Sequence, residues 1–277
     1  MSDVVCGNFA QSHWGPWPPD AIRVVNWNID RGLRLPEVVD FLASQKADLL
    51  VLQEVDLNAR RTGYRNIAEQ IARKLKMNYV FGREFQELAQ GSRTSPAYHG
   101  QATLSRWRVR NPRVIRFAHQ SDFWRPRWYL PRLSVLQERL GGRIALVTEV
   151  QVDQRRLAVY NMHLESRGED DLRVAQLSET LKDSATLAGK LPILLAGDLN
   201  FDISRMAPAS ALQRLGFRSA VKLPSPHTTT ARGLLRHRYT VDWAYAWGPV
   251  EPMRGQVHGG VFASDHFPIS FTLRFDA

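Results

Sequence analysis

Apolar and polar positions alternate along this chain in two rhythms. Residues Ile22-Arg23-Val24-Val25-Asn26-Trp27-Asn28-Ile29 include the β-branched Ile22, Val24, Val25 and Ile29, and predict a strand over 22–29. Segment 35–47 changes rhythm: Val38, Val39 and Leu42 share a helical face and Pro36 suits a first turn, which predicts a helix. Segment 48–54 is an apolar run closed by Gln53 and Glu54, as in a strand covered on both faces. Ile67, Ile71 and Leu75 recur at spacing four and predict an amphipathic helix over 64–76.

A short strand is expected over 78–82, a polar loop over 84–100 and a further strand over 101–105. Runs 144–152 and 156–163 flank Asp153-Gln154-Arg155 and predict a hairpin. Leu177, Leu181 and Ala185 predict a helix over 171–187, and 191–198 is a second buried strand ending in a carboxylate. A short helix over 205–215 and strands over 239–247 and 267–275 complete the series. No repeat or linker breaks it, so one domain over 21–277 is expected, with many strands and a few covering helices. The lead over 1–20, with Trp14, Pro16, Trp17, Pro18 and Pro19, fits a tail, a strap over the fold or a partner-binding segment.

Composition narrows the class. Among the 277 residues, 44% are hydrophobic and 23% charged, as in soluble globular proteins. No apolar run reaches the roughly 18 residues of a membrane span. The lead has no basic stretch followed by an apolar core, so a cytoplasmic protein is expected. A monomer without an evident protein partner is expected too. Cys6 stands alone, which excludes an internal disulfide and a thiolate zinc site.

The net charge is +10 and is carried mostly by arginine. Guanidinium forks match phosphate oxygens and stack on aromatic faces. A phosphate-rich partner such as DNA or RNA is one reading; a solvated, arginine-coded surface is the other. The densest stretch is 106–139. There Arg106, Arg108, Arg110, Arg113, Arg116, Arg125, Arg127, Arg132 and Arg139 interleave with Trp107, Phe117, Phe123, Trp124, Trp128 and Tyr129.

Several apolar runs end in polar groups of one kind: Asn28, Glu54, His163, Asp198 with Asn200, Asp242, and Asp265 with His266. In layered α/β folds, strand ends at one edge converge on a pocket. Carboxylates without thiolates suit a hard cation, Mg²⁺ or Mn²⁺. A cation beside imidazoles and amides suits a phosphate oxygen that gathers charge. Asp198 and Asn200 are two apart and share a side of an extended backbone, and Gly197 permits close backbone approach.

Six motifs follow in order: Val25-Asn26-Trp27-Asn28-Ile29, Leu52-Gln53-Glu54, Asn161-Met162-His163-Leu164, Gly197-Asp198-Leu199-Asn200, Val241-Asp242-Trp243 and Ser264-Asp265-His266. Together the chain resembles the DNase I-like endonuclease/exonuclease/phosphatase superfamily. The resemblance implies an α+β fold, a four-layer α/β-sandwich of two mixed β-sheets packed face to face with helices on the outer faces. It implies a metal-dependent hydrolase in which water attacks phosphorus in line. It places Asn28, Glu54 and Asp265 at the metal, and Asp198 with Asn200 at the attacking water. His266, oriented by Asp242, would meet the phosphate, and His163 would bind it or stabilise the leaving group.

Gly100-Gln101-Ala102-Thr103-Leu104-Ser105 resembles a family strand that usually has Asn where Gln101 stands, which makes Gln101 a substrate candidate. Arg125, Arg127, Arg167 and Arg173 are candidates on charge. The expected function is a Mg²⁺-dependent phosphodiesterase acting on nucleic acid. Alternatives are an enzyme for a small or lipid phosphoester, of inositol phosphate or sphingomyelin type, and an inactive arginine-rich nucleic-acid-binding module. No amphipathic membrane helix or exposed apolar hairpin favours a lipid.

Overall fold

A computed structural model describes residues 3–11, 20–127, 129, 133, 138–205, 207–221, 227–229 and 238–276. Trp14, Trp17 and the prolines of the lead, with Trp128 and Arg132, lie outside the described residues. The strands in chain order are β1 (Val4–Gly7), β2 (Ala21–Arg31), β3 (Leu49–Ala59), β4 (Arg65–Asn66), β5 (Asn78–Glu87), β6 (Ala97–Ser105), β7 (Arg108–Arg116) and β8 (Arg139–Gly141). They continue with β9 (Ile144–Val152), β10 (Arg155–His163), β11 (Ile193–Asp198), β12 (Arg218–Ser219), β13 (Asp242–Trp247), β14 (Val250–Val257) and β15 (Ile269–Phe275). The α-helices are α1 (Leu35–Gln45), α2 (Ile67–Leu75), α3 (Asp170–Ala185) and α4 (Ala207–Arg214). No helix among the described residues is long and apolar enough to cross a membrane.

One sheet runs β1-β5-β6-β3-β2-β15-β14, with β4 beside β3 and β8 beside β5; the other runs β12-β13-β11-β10-β9-β7. Both are mixed, since β2 and β3 are parallel in the first and β10 and β11 in the second, among antiparallel neighbours. Side-chain alternation assigns the layers. Val25, Trp27, Ile29, Leu50 and Leu52 pack against Val38 and Leu42 of α1 and Ile67 and Ile71 of α2. Ile22, Val24, Leu49 and Val51 turn the other way and meet Val150, Val159, Leu194, Ala196 and Ala244 of the second sheet. That sheet's outer face, with Tyr160, Leu195 and Trp243, packs on Leu177 of α3 and Leu212 of α4. The order helix, sheet, sheet, helix is the expected four-layer sandwich.

The gap between the sheets changes character along the strands. Stepping by two along β2, Val24 gives way to Asn26 and Asn28; β10 runs Val159, Asn161, His163, and β11 runs Ala196, Asp198. The middle amides bond one another. Gln53 Nε2 donates to Asn26 Oδ1 at 3.0 Å and Asn161 Oδ1 at 2.8 Å, and Asn161 Nδ2 donates to the Leu52 and Ala102 carbonyls, each at 3.0 Å. This buried amide layer fixes how the sheets align, because a slip would break the bonds made by the Gln53 and Asn161 amide nitrogens; within it, Gln53 Oε1 alone has no partner among the described residues. It hands the chain from aliphatic core to charged site in register.

Three expectations change. The loop over 84–100 shrinks to 88–96, because β5 runs to Glu87 and β6 starts at Ala97. Glu84, Glu87 and His99 are strand residues buried against Arg143, Arg139 and Asp56, so their polarity does not mark a loop. The arginine-rich stretch contains a strand, β7, at a sheet edge where alternate arginines reach solvent. The start of the lead belongs to the domain: β1 pairs with β5, and Phe9 stacks on Tyr79 with centroids 6.2 Å apart. Four residues carry too little pattern to announce such an edge strand.

Candidate active site

The last residues of β2, β10 and β11, the irregularity at Glu54 inside β3, the first residue of β13 and the loop before β15 meet at one edge of the sandwich. Asn28 Nδ2 donates to Asp198 Oδ2 at 3.0 Å and to Glu54 Oε1 at 3.4 Å, while its Oδ1 accepts from Asp30 N at 3.1 Å. Register breaks in β3 between Leu52 and Val55, and Glu54 takes a left-handed φ of 49°. Such backbone persists where the surroundings demand it, often at functional sites. Its carboxylate then lies 3.6 Å from Arg31 Nη2, a residue itself at φ 65°.

The loop carrying Asp265 and His266 is pinned to β2. Ser264 Oγ donates to the Asn28 carbonyl at 2.7 Å and accepts from His266 N at 3.1 Å, and Trp27 Nε1 donates to the His266 carbonyl at 2.8 Å. His266 Nδ1 is 2.9 Å from Asp242 Oδ2, and its Nε2 faces Asp198 Oδ2 at 3.7 Å and Asp265 Oδ2 at 3.6 Å. His163 Nε2 lies 3.7 Å from the same Asp198 oxygen. Asp198 Oδ1 accepts from Asn200 N at 2.9 Å, and Asn200 Nδ2 donates to the Leu164 carbonyl at 3.0 Å. Asp198 is thus held at both oxygens and stands between two imidazoles. Gly197 makes this possible, since a Cβ there would sit 1.9 Å from the Met162 carbonyl oxygen.

Behind His163 lies a second buried cluster. Arg143 Nη1 donates to Glu84 Oε1 at 2.6 Å and sits 2.9 Å from His163 Nδ1, and Nη2 donates to Ser166 Oγ at 3.0 Å. Next to it His99 Nδ1 is 3.0 Å from Asp56 Oδ1, while Arg61 donates to both Asp56 oxygens at 2.7 Å. Among the described residues the tight groups of imidazole and carboxylate donors are Glu84, His99 and His163, and Asp198, Asp242 and His266.

Charge compensation tunes these groups. Burial alone would raise the Glu54 carboxyl, but Arg31, His99, His163 and His266 outweigh it and hold the group well below its ordinary range. Burial opposes a charge on His266, yet Asp242, Asp198 and Asp265 keep the imidazole protonated well above its usual range. Burial pushes the Asp242 carboxyl up to about 6 against the pull of His266, with Asp198 adding to the rise. Glu84 is lowered to about 2, because Arg143 and His163 overcome its burial.

A sequence profile of the Endonuclease/Exonuclease/phosphatase family matches residues 25–266. The chain belongs to this family. Members of the Endonuclease/Exonuclease/phosphatase family are metal-dependent phosphoesterases, and this chain is an enzyme of that type. An endonuclease/exonuclease/phosphatase from Beutenbergia cavernae DSM 12333 superposes with a TM-score of 0.66 at 18% identity, over 93% of this chain and 72% of that one. The human nocturnin catalytic domain with a bound sulfate anion gives 0.66 at 20% identity, over 99% and 97%. TDP2 from C. elegans gives 0.63 at 19% identity, over 92% and 75%. Identities this low establish a shared fold and no more. No curated protein matches the chain in sequence.

A divalent cation is implied by the family, and the residues present fit one. Glu54 and Asp265 keep 22% and 17% of their side chains exposed at the cleft, and Asn28 adjoins Glu54. Glu54 and Asp265 offer carboxylate oxygen, as a hard cation requires, while Asn28 braces Glu54 through Nδ2.

The other expected residues separate. His163, Asp198, Asn200, Asp242 and His266 share the edge just described. Gln101 does not reach it: the side chain is fully buried and Nε2 donates to the Ile144 carbonyl at 3.0 Å, bridging the two sheets. Its extra carbon turns the amide into a strut inaccessible to substrate. Arg173 is also committed, with Nε donating to the Glu165 carbonyl at 2.7 Å and Nη1 to Asp170 at 2.7 Å. Arg125, Arg127 and Arg167 are exposed.

Arg31, Glu84, His99, Arg143 and Ser264 are neighbours of the site that carried no expectation. Ser264 is part of the Ser264-Asp265-His266 motif, two positions before His266. Glu84 and His99 were hidden within a stretch whose polarity resembled a loop.

Proposed function

We propose that this protein is a Mg²⁺- or Mn²⁺-dependent phosphodiesterase that hydrolyses nucleic acid. Glu54 and Asp265, with Asn28 beside them, would hold the cation, which when bound polarises the phosphate and offsets its growing negative charge. Asp198 accepts a proton from the attacking water, because Asn28 Nδ2 and Asn200 N fix its two oxygens. His266, kept protonated by three carboxylates, donates through Nε2 to a phosphate oxygen. His163, braced by Glu84 and Arg143, serves the same phosphate or the leaving oxygen from the other side of Asp198. The placement of Asp198 between two imidazoles carries this reading. A nucleic-acid substrate is supported by the net charge of +10 and by exposed Arg125, Arg127 and Arg167.

The test is hydrolysis of bis-p-nitrophenyl phosphate, single-stranded and duplex DNA, RNA and an inositol polyphosphate with Mg²⁺, Mn²⁺ or EDTA. Cation-dependent cleavage of nucleic acid is expected, with Asp198→Ala lowering it by about 10²–10⁴-fold. Equal activity in wild type and Asp198→Ala overturns the mechanism. Exclusive turnover of the inositol phosphate overturns the substrate class.

A further inference from the structure

One exposed feature beside the catalytic edge has no part in holding metal, water or phosphorus. Phe123 and Trp124 lie edge to face with centroids 4.7 Å apart, and the Arg167 guanidinium lies over Phe123 at 4.6 Å and over Trp124 at 5.7 Å. Phe123 is 45% exposed, and Arg167 is exposed as well. A phenylalanine this open brings nothing to the core.

This shelf is nevertheless rigidly tied. Glu165, two residues beyond His163, is almost fully buried, at 1%. Its Oε2 accepts from Ser121 Oγ at 2.7 Å, and its Oε1 accepts from Trp124 Nε1 at 3.4 Å and from Arg167 N at 3.0 Å. Arg143 Nε is 3.8 Å from that same carboxylate, while Arg143 Nη1 contacts His163. One buried carboxylate therefore fastens the aromatic pair, the arginine backbone and the strand end of His163 together. Among the described residues no carboxylate forms an ion pair with Arg167, so its charge is available to a ligand.

A stacked aromatic and guanidinium surface recognises the flat face of a heterocycle, and the cation answers the adjoining phosphate. The bases of an intact duplex keep those faces covered by their neighbours, and pulling one out of the stack costs free energy. We infer that Phe123, Trp124 and Arg167 form a stacking subsite for an unpaired nucleobase next to the scissile phosphate, which makes single-stranded nucleic acid the preferred substrate. This rests on the phosphodiesterase reading above.

The experiment uses the full chain with Mn²⁺ and compares a labelled single-stranded oligonucleotide, the same sequence as a duplex, and bis-p-nitrophenyl phosphate. Wild type, Phe123→Ala, Phe123→Trp and Arg167→Ala are measured, with binding of the single strand followed in EDTA by fluorescence anisotropy. Single strand should be cleaved about tenfold or more faster than duplex in kcat/KM. Phe123→Ala should lose at least about tenfold more on the single strand than on the small diester, and Phe123→Trp should restore it. Anisotropy should show about a tenfold weaker Kd for Phe123→Ala and for Arg167→Ala.

Equal cleavage of single strand and duplex overturns the inference, as does equal loss on both substrates in Phe123→Ala. Cleavage of the small diester with neither nucleic acid cleaved or bound also overturns it, while leaving a phosphodiesterase standing. If no diester is hydrolysed the catalytic reading falls, and anisotropy still decides the subsite: Kd unchanged in Phe123→Ala removes it.

Discussion

His266 Nδ1 stands 2.9 Å from Asp242 Oδ2, and the pair is enclosed between the start of β13 and the loop before β15. The contact fixes which nitrogen points at Asp198 and keeps the ring charged. Asp242→Asn removes the charge but preserves the shape. The expected result is a loss in kcat of about 10²–10⁴-fold with KM for a small diester little changed. The sign of the pH effect follows from His266, whose folded pKa is raised: imidazolium-dependent activity is present below that pKa and lost as pH rises through it. Without Asp242 the alkaline fall in the rate profile should begin at lower pH. A profile whose alkaline limb stays in place would remove His266 from the proton chemistry.

The Glu84–Arg143 pair should govern acid stability. Glu84 is depressed to about 2 in the fold, because Arg143 and His163 outweigh its burial, while an unfolded glutamate titrates near 4.3. A depressed carboxyl contributes stability that is complete above the unfolded pKa and is lost as pH falls towards the folded one. Glu84→Gln leaves Arg143 buried without its nearest counter-charge and should cost about 3–5 kcal/mol at pH 7. That difference should shrink progressively in urea titrations between pH 4 and pH 2. A difference independent of pH would mean that packing, and not charge, is what Glu84 supplies.

Much of the edge was readable because a polar group adjoins an apolar run: Asn28, Glu54, His163 and Asp198 follow one, and Asp242 opens one. Helices α1, α2 and α3 were readable from the spacing of their apolar residues. The wall behind His163 was not. Glu84 and Arg143 are 59 positions apart, and a charge neutralised by so distant a partner looks in sequence like a charge in solvent. Gln101 illustrates the converse. Its motif suggested substrate contact, whereas one added carbon lets it bridge to Ile144, which no local pattern reveals. Arg31 was concealed by backbone: two successive left-handed residues, Asp30 and Arg31, turn its guanidinium back towards Glu54.

Arg31 should set the affinity of the cation site. Its Nη2 is 3.6 Å from Glu54 Oε2, so an entering divalent ion meets a neighbouring positive charge. Arg31→Gln removes that repulsion. At pH 8 Mn²⁺ should bind several-fold more tightly, on the order of 1 kcal/mol at a dielectric near that of water. Arg31→Lys should resemble wild type. Calorimetric titration of the metal-free protein measures this directly, and weaker binding in Arg31→Gln would show that Arg31 chiefly orders the Glu54 loop.

Gly197→Ala tests whether strand spacing sets catalytic geometry. Met162 and Gly197 are register partners in the parallel pair of β10 and β11, directly before His163 and Asp198. An added Cβ would fall 1.9 Å from the Met162 carbonyl oxygen, and backbone cannot rotate aside as a side chain can. The strands must part, at a cost of about 3 kcal/mol, and the parting displaces Asp198 from Asn28 and both imidazoles. Stability and kcat should therefore fall together, with the residual activity less sensitive to Asp198→Ala than in wild type. Gly260→Ala, where nothing lies within 4 Å of the added carbon, is the control and should change neither. Normal kcat in a destabilised Gly197→Ala protein would show that the Asp198 position tolerates a wider sheet.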